Sequence, residues 1–454
     1  MNIVDQHFAI YGLGDTGFAS AQYLLAHGAH VTVFDHQKNP KYAEKLIEFA
    51  PQIALYTGQF KLDYLQGVDH LLVSPGVPLS QPEIINFRQK GGSILGDIEF
   101  FARIFKQDLS GHMIAISGSN GKSTVTELVG HLCRACQHHT AVAGNIGLPI
   151  LDVLLKSEKA QAIPDYWVLE LSSFQLDLTE HLCADAAVVL NIAEDHLDRY
   201  DDLLSYAASK SKLFNGQGIQ VINGDDPLCC AMRRKNRDVR QFSLNQPSDY
   251  ALSEAGYLML TGEKTLHYSE LPLQGLHNIA NILAALALCE ALNLPRSLLL
   301  ESLKTFSGLS HRIQWVSQIA GVDYIDDSKG TNVAATEAAL LSMKKKVVLI
   351  AGGDGKNQNF APLKKVLQKV ARAVVLIGQD AQQIHLAIDG LDLPIKHCDT
   401  LENATYMAAS LAKSGDVVLL SPACASLDMF DNYMHRAQVF CDTVFCLKKA
   451  HKTC

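Results

Sequence analysis

Short apolar runs that stop at polar, glycine-bearing turns recur along the whole chain. Residues 8–11, 31–34, 71–73, 113–116, 166–169 and 187–190 are runs of this kind, and 322–325, 347–350, 374–377 and 417–420 continue the series. Each is about as long as one strand, and most lack polar alternation, as expected of strands buried on both faces. Segments with helical spacing lie between them. One follows the first run up to Leu25, another follows residue 121, and others span 206–214 and 277–292. In the second, Val125, Leu128, Val129, Leu132, Cys133 and Cys136 share one face. Strand and helix in alternation predict an α/β chain built on doubly wound parallel sheets. At 454 residues and roughly 150 residues per domain, about three domains are expected. We place them at 1–99 (Rossmann-like), 100–309 (a central P-loop ATPase type) and 310–454 (Rossmann-like again), with the last beginning near Ser310-His311-Arg312.

The ends of the runs carry the candidate chemistry. After 113–116 comes Gly118-Ser119-Asn120-Gly121-Lys122-Ser123-Thr124, at the start of a helix. Glycines let backbone N–H groups curl around an anion, the lysine reaches outer phosphates, and the hydroxyl after it can ligate Mg²⁺. The loop is a shortened form, because Ile116 stands where the usual spacing has Gly. After 166–169 comes Glu170, an acid at a strand end in a phosphate-loop domain, where Mg²⁺ is usually held. His196 follows another strand end, a place where a histidine can be a ligand as well as structural. Gly12-Leu13-Gly14-Asp15-Thr16-Gly17, with Asp35 further on, fits the dinucleotide fingerprint and taken alone suggests NAD. Any nucleotide diphosphate could use the same helix N-terminus. In the last third, polar clusters at 326–332, 352–356 and 421–426 end three strands. They read either as turn chemistry or as a ligand site outside the carboxyl ends of a sheet.

Composition narrows the classes. The net charge of −8 gives no basic footprint for nucleic acid. No apolar run is long enough to span a bilayer, and Met1-Asn2-Ile3-Val4-Asp5 lacks the basic start of a signal peptide. Eleven cysteines without a framework pattern suit a reducing cytoplasm. Cys133 and Cys136 read as core, not metal ligands, since no second pair matches them.

Taken in order, the runs GSNGKST, GNIG, LELSSFQL, NIAEDHLDRY, GLHNIAN, HR, DDSKGTN, AGGDGK and LSPACASLD resemble the Mur ligases of bacterial cell-wall synthesis, and among them the D-glutamate-adding branch. The resemblance covers essentially the whole chain. It implies an ATP-dependent amide ligase, a cytoplasmic monomer, that joins D-glutamate to UDP-N-acetylmuramoyl-L-alanine with Mg²⁺, two ions in all. On this reading Asp15, Thr16, Asp35 and Ser74 hold UDP instead of NAD, and Asn145 and His196 face the substrate's diphosphate and its metal. The loop from Gly118, Ser119, Asn120 and Gly121 to Lys122, Ser123 and Thr124 holds ATP, with Asn281, Arg312 and Asp327. Ser123 and Glu170 place one Mg²⁺, and His196 with Lys210 a second. Lys329, Thr331, Lys356, Ser426, Leu427 and Tyr433 hold D-glutamate, although Tyr433 stands where the family has Phe. Lys122, Glu170, His196 and Lys210 form the implied catalytic set.

Without the resemblance, Lys210 and Lys212 read as solvated lysines of one helix. With it, Lys210 is carboxylated. An ammonium about 4 Å from a divalent ion is repelled by roughly 8 kcal/mol at an effective dielectric near 20. Deprotonating an ordinary lysine at pH 7 costs only about 4.6 kcal/mol, and the carbamate formed with CO₂ is an oxygen ligand suited to Mg²⁺. Other readings stay open: another Mur ligase, a folylpolyglutamate-type ligase, or an NAD-dependent dehydrogenase. The diaminopimelate-adding branch would carry Asp-Asn-Pro-Arg, which is absent. A dehydrogenase leaves GSNGKST and Glu170 unexplained.

Overall fold

The computed structural model describes residues 3–273, 275–309 and 311–453. Met1, Asn2 and the expected boundary residue Ser310 lie outside the described residues, as do Gln274, Cys454 and the side chains of Lys452 and Thr453. The chain divides into two compact units. The first comprises Met1–Asn191, Ala207–Pro272 and Ile279–Phe306, and the second Ile192–Tyr206, Leu273–Asn278 and Ser307–Cys454.

The first unit holds two sheets. Strands β1 (His7–Tyr11), β2 (His30–Asp35), β3 (Ala54–Thr57), β4 (His70–Val73) and β5 (Ser93–Leu95) pair in the order β3-β2-β1-β4-β5. All the pairs are parallel. The order reverses between β1 and β4, which opens a crevice at their carboxyl ends. The loop of Gly12 and the loop of Ser74 leave the sheet at that crevice.

The second sheet contains β6 (His112–Ser117), β7 (Thr140–Gly144), β8 (Tyr166–Glu170), β9 (Ala186–Val189), β10 (Ile219–Asn223), β11 (Val239–Ser243), β12 (Tyr250–Leu252), β13 (Tyr257–Leu260) and β14 (Glu263–His267). Its order is β14-β13-β12-β11-β10-β9-β6-β8-β7. It is parallel from β7 through to β12, and β13 and β14 extend it as an antiparallel meander. Of these outer strands β14 is mostly polar, whereas β13 is apolar with burial alternating along it. Neither is among the runs read as strands from the sequence.

The second unit is built on β15 (Gln314–Ile319), β16 (Val322–Asp326), β17 (Val347–Gly352), β18 (Ala371–Ile377), β19 (Ile395–His397) and β20 (Val417–Leu420), in the order β15-β16-β20-β17-β18-β19. Successive residues of β17 and β20 face opposite layers. Leu349 and Leu419 pack with Leu363, Leu367 and Ile384, while Val348, Ile350, Val418 and Leu420 pack with Ala404, Ala408 and Phe440. Burial on both faces explains the continuous apolar runs. The sheet is not wholly parallel as expected, because β15 returns antiparallel to β16. Ala320 and Gly321, both at positive φ (50° and 78°), make the two-residue hairpin.

Two helical readings change. The helix expected at 206–214 is an α-helix, Leu203–Ser211, followed by a 3₁₀ turn, Lys212–Phe214. Lys210 on it is not solvated. It is 1 % exposed, whereas the Lys212 side chain is 39 % exposed. Cys133 is buried in the core as expected, while Cys136, at the end of its helix, is only half-buried. Among the described residues no helix is long and apolar enough to cross a membrane.

Candidate functional site

At the crevice of the first sheet, Gly12 has φ +99°, and a Cβ there would lie 2.9 Å from the Ser74 Cβ. Only glycine permits that turn and that approach. Ser74 Oγ donates to the Gly12 carbonyl at 2.8 Å. The Asp35 carboxylate accepts from the backbone N–H groups of Leu13 (2.6 Å) and Gln37 (2.8 Å). Asp35 and Ser74 are both buried and both hold the glycine loop. Asp15 and Thr16 open the helix Asp15–Ala26 that follows. Asp15 is exposed and accepts from Lys41 Nζ at 3.0 Å and from Tyr42 Oη. Burial pulls its pKa upward, but the hydrogen bonds from Tyr42 and Lys41 outweigh this and lower it.

The phosphate-type loop leaves the carboxyl end of β6, beside the ends of β8 and β9. Gly118 and Gly121 have φ +146° and +85°. A Cβ on Gly121 would stand 2.5 Å from Asn281 Oδ1. The loop is clamped from the end of β9: Asn120 N–H donates to Asn191 Oδ1 at 2.8 Å, and Asn191 Nδ2 returns to the Asn120 carbonyl at 3.0 Å. Lys122 begins the helix Lys122–Ala135, and its Nζ donates to the Gly118 and Ser119 carbonyls at 2.8 Å each. Ser123 and Thr124, in the first turn, are buried.

Glu170 lies next to Ile116 across the β6–β8 pair and is 2 % exposed. Its Oε1 accepts from Asn145 Nδ2 at 2.8 Å, while its Oε2 is buried with no hydrogen-bond partner among the described residues. Lys210 reaches the same strand end. Its Nζ donates to Ser117 Oγ at 3.4 Å, and Ser117 Oγ donates to the Leu171 carbonyl. Glu170, Asn145, Lys122, Ser123, Asn281 and Lys210 thus gather at the carboxyl edge of one sheet, where ligands of such sheets bind. An unpartnered carboxylate oxygen in so buried a place suits a hard cation.

In the second unit His196 has φ +56°, and its Nε2 lies 3.8 Å from Asp195 Oδ2. Among the described residues no group of three or more His, Cys, Asp or Glu could hold a metal by itself. Asp327 accepts from Ser421 Oγ at 2.7 Å and from the Ile313 N–H at 3.3 Å. Burial lifts its carboxyl to about 7 against the opposing pull of Ser421 and Arg312. Arg312 Nε is buried without a hydrogen-bond partner among the described residues. Lys329 Nζ lies over the Tyr433 ring, 5.2 Å from its centroid. Lys356 pairs with Asp195. Thr331 is half-buried and Ser426 is buried, whereas Leu427 is 72 % exposed and joins none of these contacts.

Several participants were not singled out from the sequence: Asn191, Ser117, Asp195, Asn332, Ser421 and Arg436. Asn191 and Asp195 stand in the run NIAEDHLDRY, where their type gave a signal but not their partners. Arg436 is fully buried and fastens two loops. It donates to the Ser328 carbonyl (2.8 Å) and Oγ (3.1 Å) and to the carbonyls of Cys424 (3.2 Å) and Ala425 (3.3 Å). Nothing in its local sequence marks it.

Comparison with known proteins places the chain among relatives. The Mur ligase MurD-like N-terminal domain matches residues 6–96, the Mur ligase middle domain 116–289, and the Mur ligase glutamate ligase domain 311–424. The UDP-N-acetylmuramoylalanine--D-glutamate ligase of Chromobacterium violaceum is 55 % identical over 99 % of this chain and 100 % of its own. The protein of the same name from Thiobacillus denitrificans is 50 % identical, over 96 % and 95 %. Among solved structures, the UDP-N-acetylmuramate-alanine ligase MurC of Thermotoga maritima is similar in fold. Its TM-score is 0.63 at 20 % identity, covering 97 % of this chain and 100 % of that one.

Proposed function

The chain belongs to the Mur ligase family, and on that premise we propose that it adds D-glutamate to UDP-N-acetylmuramoyl-L-alanine at the expense of ATP, in peptidoglycan precursor synthesis. The observation that carries this is the end-to-end match, at 55 % identity, to a relative named for that reaction. The buried edge around the phosphate-type loop supports the ATP half of it.

The chemistry follows from the leaving group. A carboxylate does not accept an amine, because oxide would have to leave. ATP passes its γ-phosphoryl group to the substrate carboxylate and leaves as ADP, giving an acyl phosphate; the amine of D-glutamate attacks the carbonyl carbon, and inorganic phosphate departs as the new amide loses a proton to solvent. The protein's task is to hold anions together and spread their charge. Gly118, Ser119, Asn120, Gly121 and Thr124 supply the anion cradle, Lys122 turns from its loop carbonyls to the outer phosphates, and Asn281 borders the loop. Ser123 and Glu170 would hold Mg²⁺, with Glu170 Oε2, unpartnered among the described residues, as the anchor and Asn145 fixing the other oxygen. Bound there, Mg²⁺ would supply positive charge to offset that of the phosphates.

Lys210 acts as its N-carboxylated form and adds an anionic oxygen at the same edge; its burial against Ser117 favours a group other than a solvated ammonium. His196 is assigned as a further metal ligand and substrate contact, which brings the number of ions to two. Asp15, Thr16, Asp35 and Ser74 form the UDP end, with Asp35 and Ser74 acting by shaping the loop. Arg312 and Asp327 are assigned to the nucleotide, and Lys329, Thr331, Lys356, Ser426, Leu427 and Tyr433 to D-glutamate. The division at 1–99, 100–309 and 310–454 into UDP-substrate, ATP and amino-acid domains belongs to the same proposal. So does action as a cytoplasmic monomer on small-molecule substrates alone, with neither nucleic acid nor membrane as partner.

The test is phosphate release with UDP-N-acetylmuramoyl-L-alanine, ATP and Mg²⁺, with and without D-glutamate. Phosphate and the lengthened nucleotide-sugar peptide are expected only when all are present. Equal product from L-glutamate, or reduction of NAD without ATP use, would overturn the assignment.

A further inference from the structure

The second unit buries a carboxylate, Asp195, that the reaction outlined above does not use, in an ion pair with Lys356. Asp195 is 5 % exposed and Lys356 is 9 % exposed. Lys356 Nζ donates to Asp195 Oδ1, and Asn332 Nδ2 donates to Asp195 Oδ2 at 3.4 Å. Both partners are fixed from behind. Asn332 caps the helix Val333–Ser342, its Oδ1 accepting from the Ala335 N–H at 2.9 Å, so its amide can turn only one way toward Asp195. Lys356 and Asn357 sit in the left-handed region, at φ +52° and +58°. Lys356 N–H donates to Asp354 Oδ1 at 3.0 Å, and Gln358 ties the loop to Val333 at 3.0 Å and Gly355 at 2.9 Å. A lysine held at positive φ in so braced a loop is an outlier of the kind found at ligand clamps.

We infer that Asp195 is a positioning residue for the D-glutamate subsite: it holds the Lys356 ammonium aimed where an amino-acid carboxylate is received. A buried ammonium without a counter-charge is costly, and Asp195 supplies that counter-charge. Lys356 gives one of its three protons to Asp195, which leaves donor capacity for the incoming carboxylate while the carboxylate of Asp195 fixes the direction of the stem. The acid also limits what the subsite accepts. An anion alone meets the repulsion of Asp195, whereas an amino acid brings a cation beside its carboxylate. The inference rests on the assignment of Lys356 to D-glutamate.

The experiment measures KM for D-glutamate, ATP, the nucleotide-sugar substrate and Mg²⁺ in D195N, K356A and the double variant, each checked for folding by circular dichroism. Asp195→Asn is expected to raise the D-glutamate KM by at least about tenfold, with the other three within about twofold. Lys356→Ala is expected to do the same, and the double variant to be no worse than Lys356→Ala alone. N332S keeps the helix cap but loses the amide donor. It is expected to raise the same KM by a smaller factor, which keeps the inference testable if Asp195→Asn does not fold. A normal D-glutamate KM in Lys356→Ala would sink the underlying assignment. A raised KM in Lys356→Ala with normal values in Asp195→Asn and Asn332→Ser would sink the inference alone. So would a change confined to Mg²⁺, or effects of the two residues that simply add.

Discussion

The phosphate-type loop of the first unit and the loop cluster of the second hold polar groups in opposite ways. The first is a single stretch of seven residues, Gly118 to Thr124, shaped by backbone conformation. Its glycines turn where no side chain fits, and its partners, Asn191 and Leu190, come from the adjoining strand end. The second is assembled from the segments around Asp195, Asp327, Asn332, Lys356, Ser421 and Arg436, and side-chain charge holds it. A backbone-built site tolerates exchange of most side chains but not of its glycines. A charge-built site depends on each buried partner, because removing one leaves the others uncompensated.

The sharpest way to separate the two is Lys122→Ala. In a backbone-built site the lysine contributes to chemistry and little to folding; its ammonium donates to two carbonyls of its own loop. Turnover should fall about a thousandfold, with the melting transition unchanged. A comparable fall in stability would show that the first site is charge-built after all. In the second unit the counterpart is Arg436→Leu. Loss of the guanidinium strands the carbonyls of Ser328, Cys424 and Ala425. We expect a destabilisation of about 3–5 kcal/mol. The chain has two tryptophans, Trp167 in the first unit and Trp315 in the second. In a Trp167→Phe background, Trp315 fluorescence therefore reports the unit concerned. A loss below about 1 kcal/mol would mean that the loops hold themselves.

Gly121→Ala should be the smaller but more local lesion. With φ +85° and the Asn281 amide in the way of a Cβ, it should cost about 1–3 kcal/mol and raise the KM for ATP, followed through Trp167 in a Trp315→Phe background. Normal ATP kinetics would refute the backbone argument. The smallest effects concern one buried acid in each unit. Burial raises Asp327 to about 7 and Asp97 to about 6. Each folded value lies above the unfolded one, so the native state binds the extra proton. Each acid's contribution is present at acid pH and lost as pH rises through the folded value. Asp327→Asn should remove up to about 1.4 kcal/mol of stability change per pH unit between about 4 and 7. Asp97→Asn should act only between about 4 and 6. Denaturant midpoints across that range check both, and an unchanged slope would exclude burial as the cause.

Much was legible because it is local. Strands buried on both faces must be continuously apolar, so the cores of all three sheets could be read from runs such as 347–350 and 417–420. Strand followed by glycine loop followed by helix is dictated by a few φ values, which only glycine takes without strain, and so Gly12, Gly118 and Gly121 announced their turns. Strands β12 to β14 escaped notice because they are short and follow one another as an edge meander, with no helix between them to complete the alternation of strand and helix. The antiparallel β15 escaped because its hairpin uses Ala320 where Asn or Gly would have signalled a turn. Lys210 shows the limit most clearly. Its sequence neighbourhood is that of a solvated helix, and only packing against β6 takes it to 1 % exposure beside Ser117. The tertiary structure likewise decided that Asp195 faces Lys356 across 161 residues and that Arg436 spans two loops. Charge pairing acts through space and leaves no period in the chain, whereas backbone conformation and apolar burial are written residue by residue.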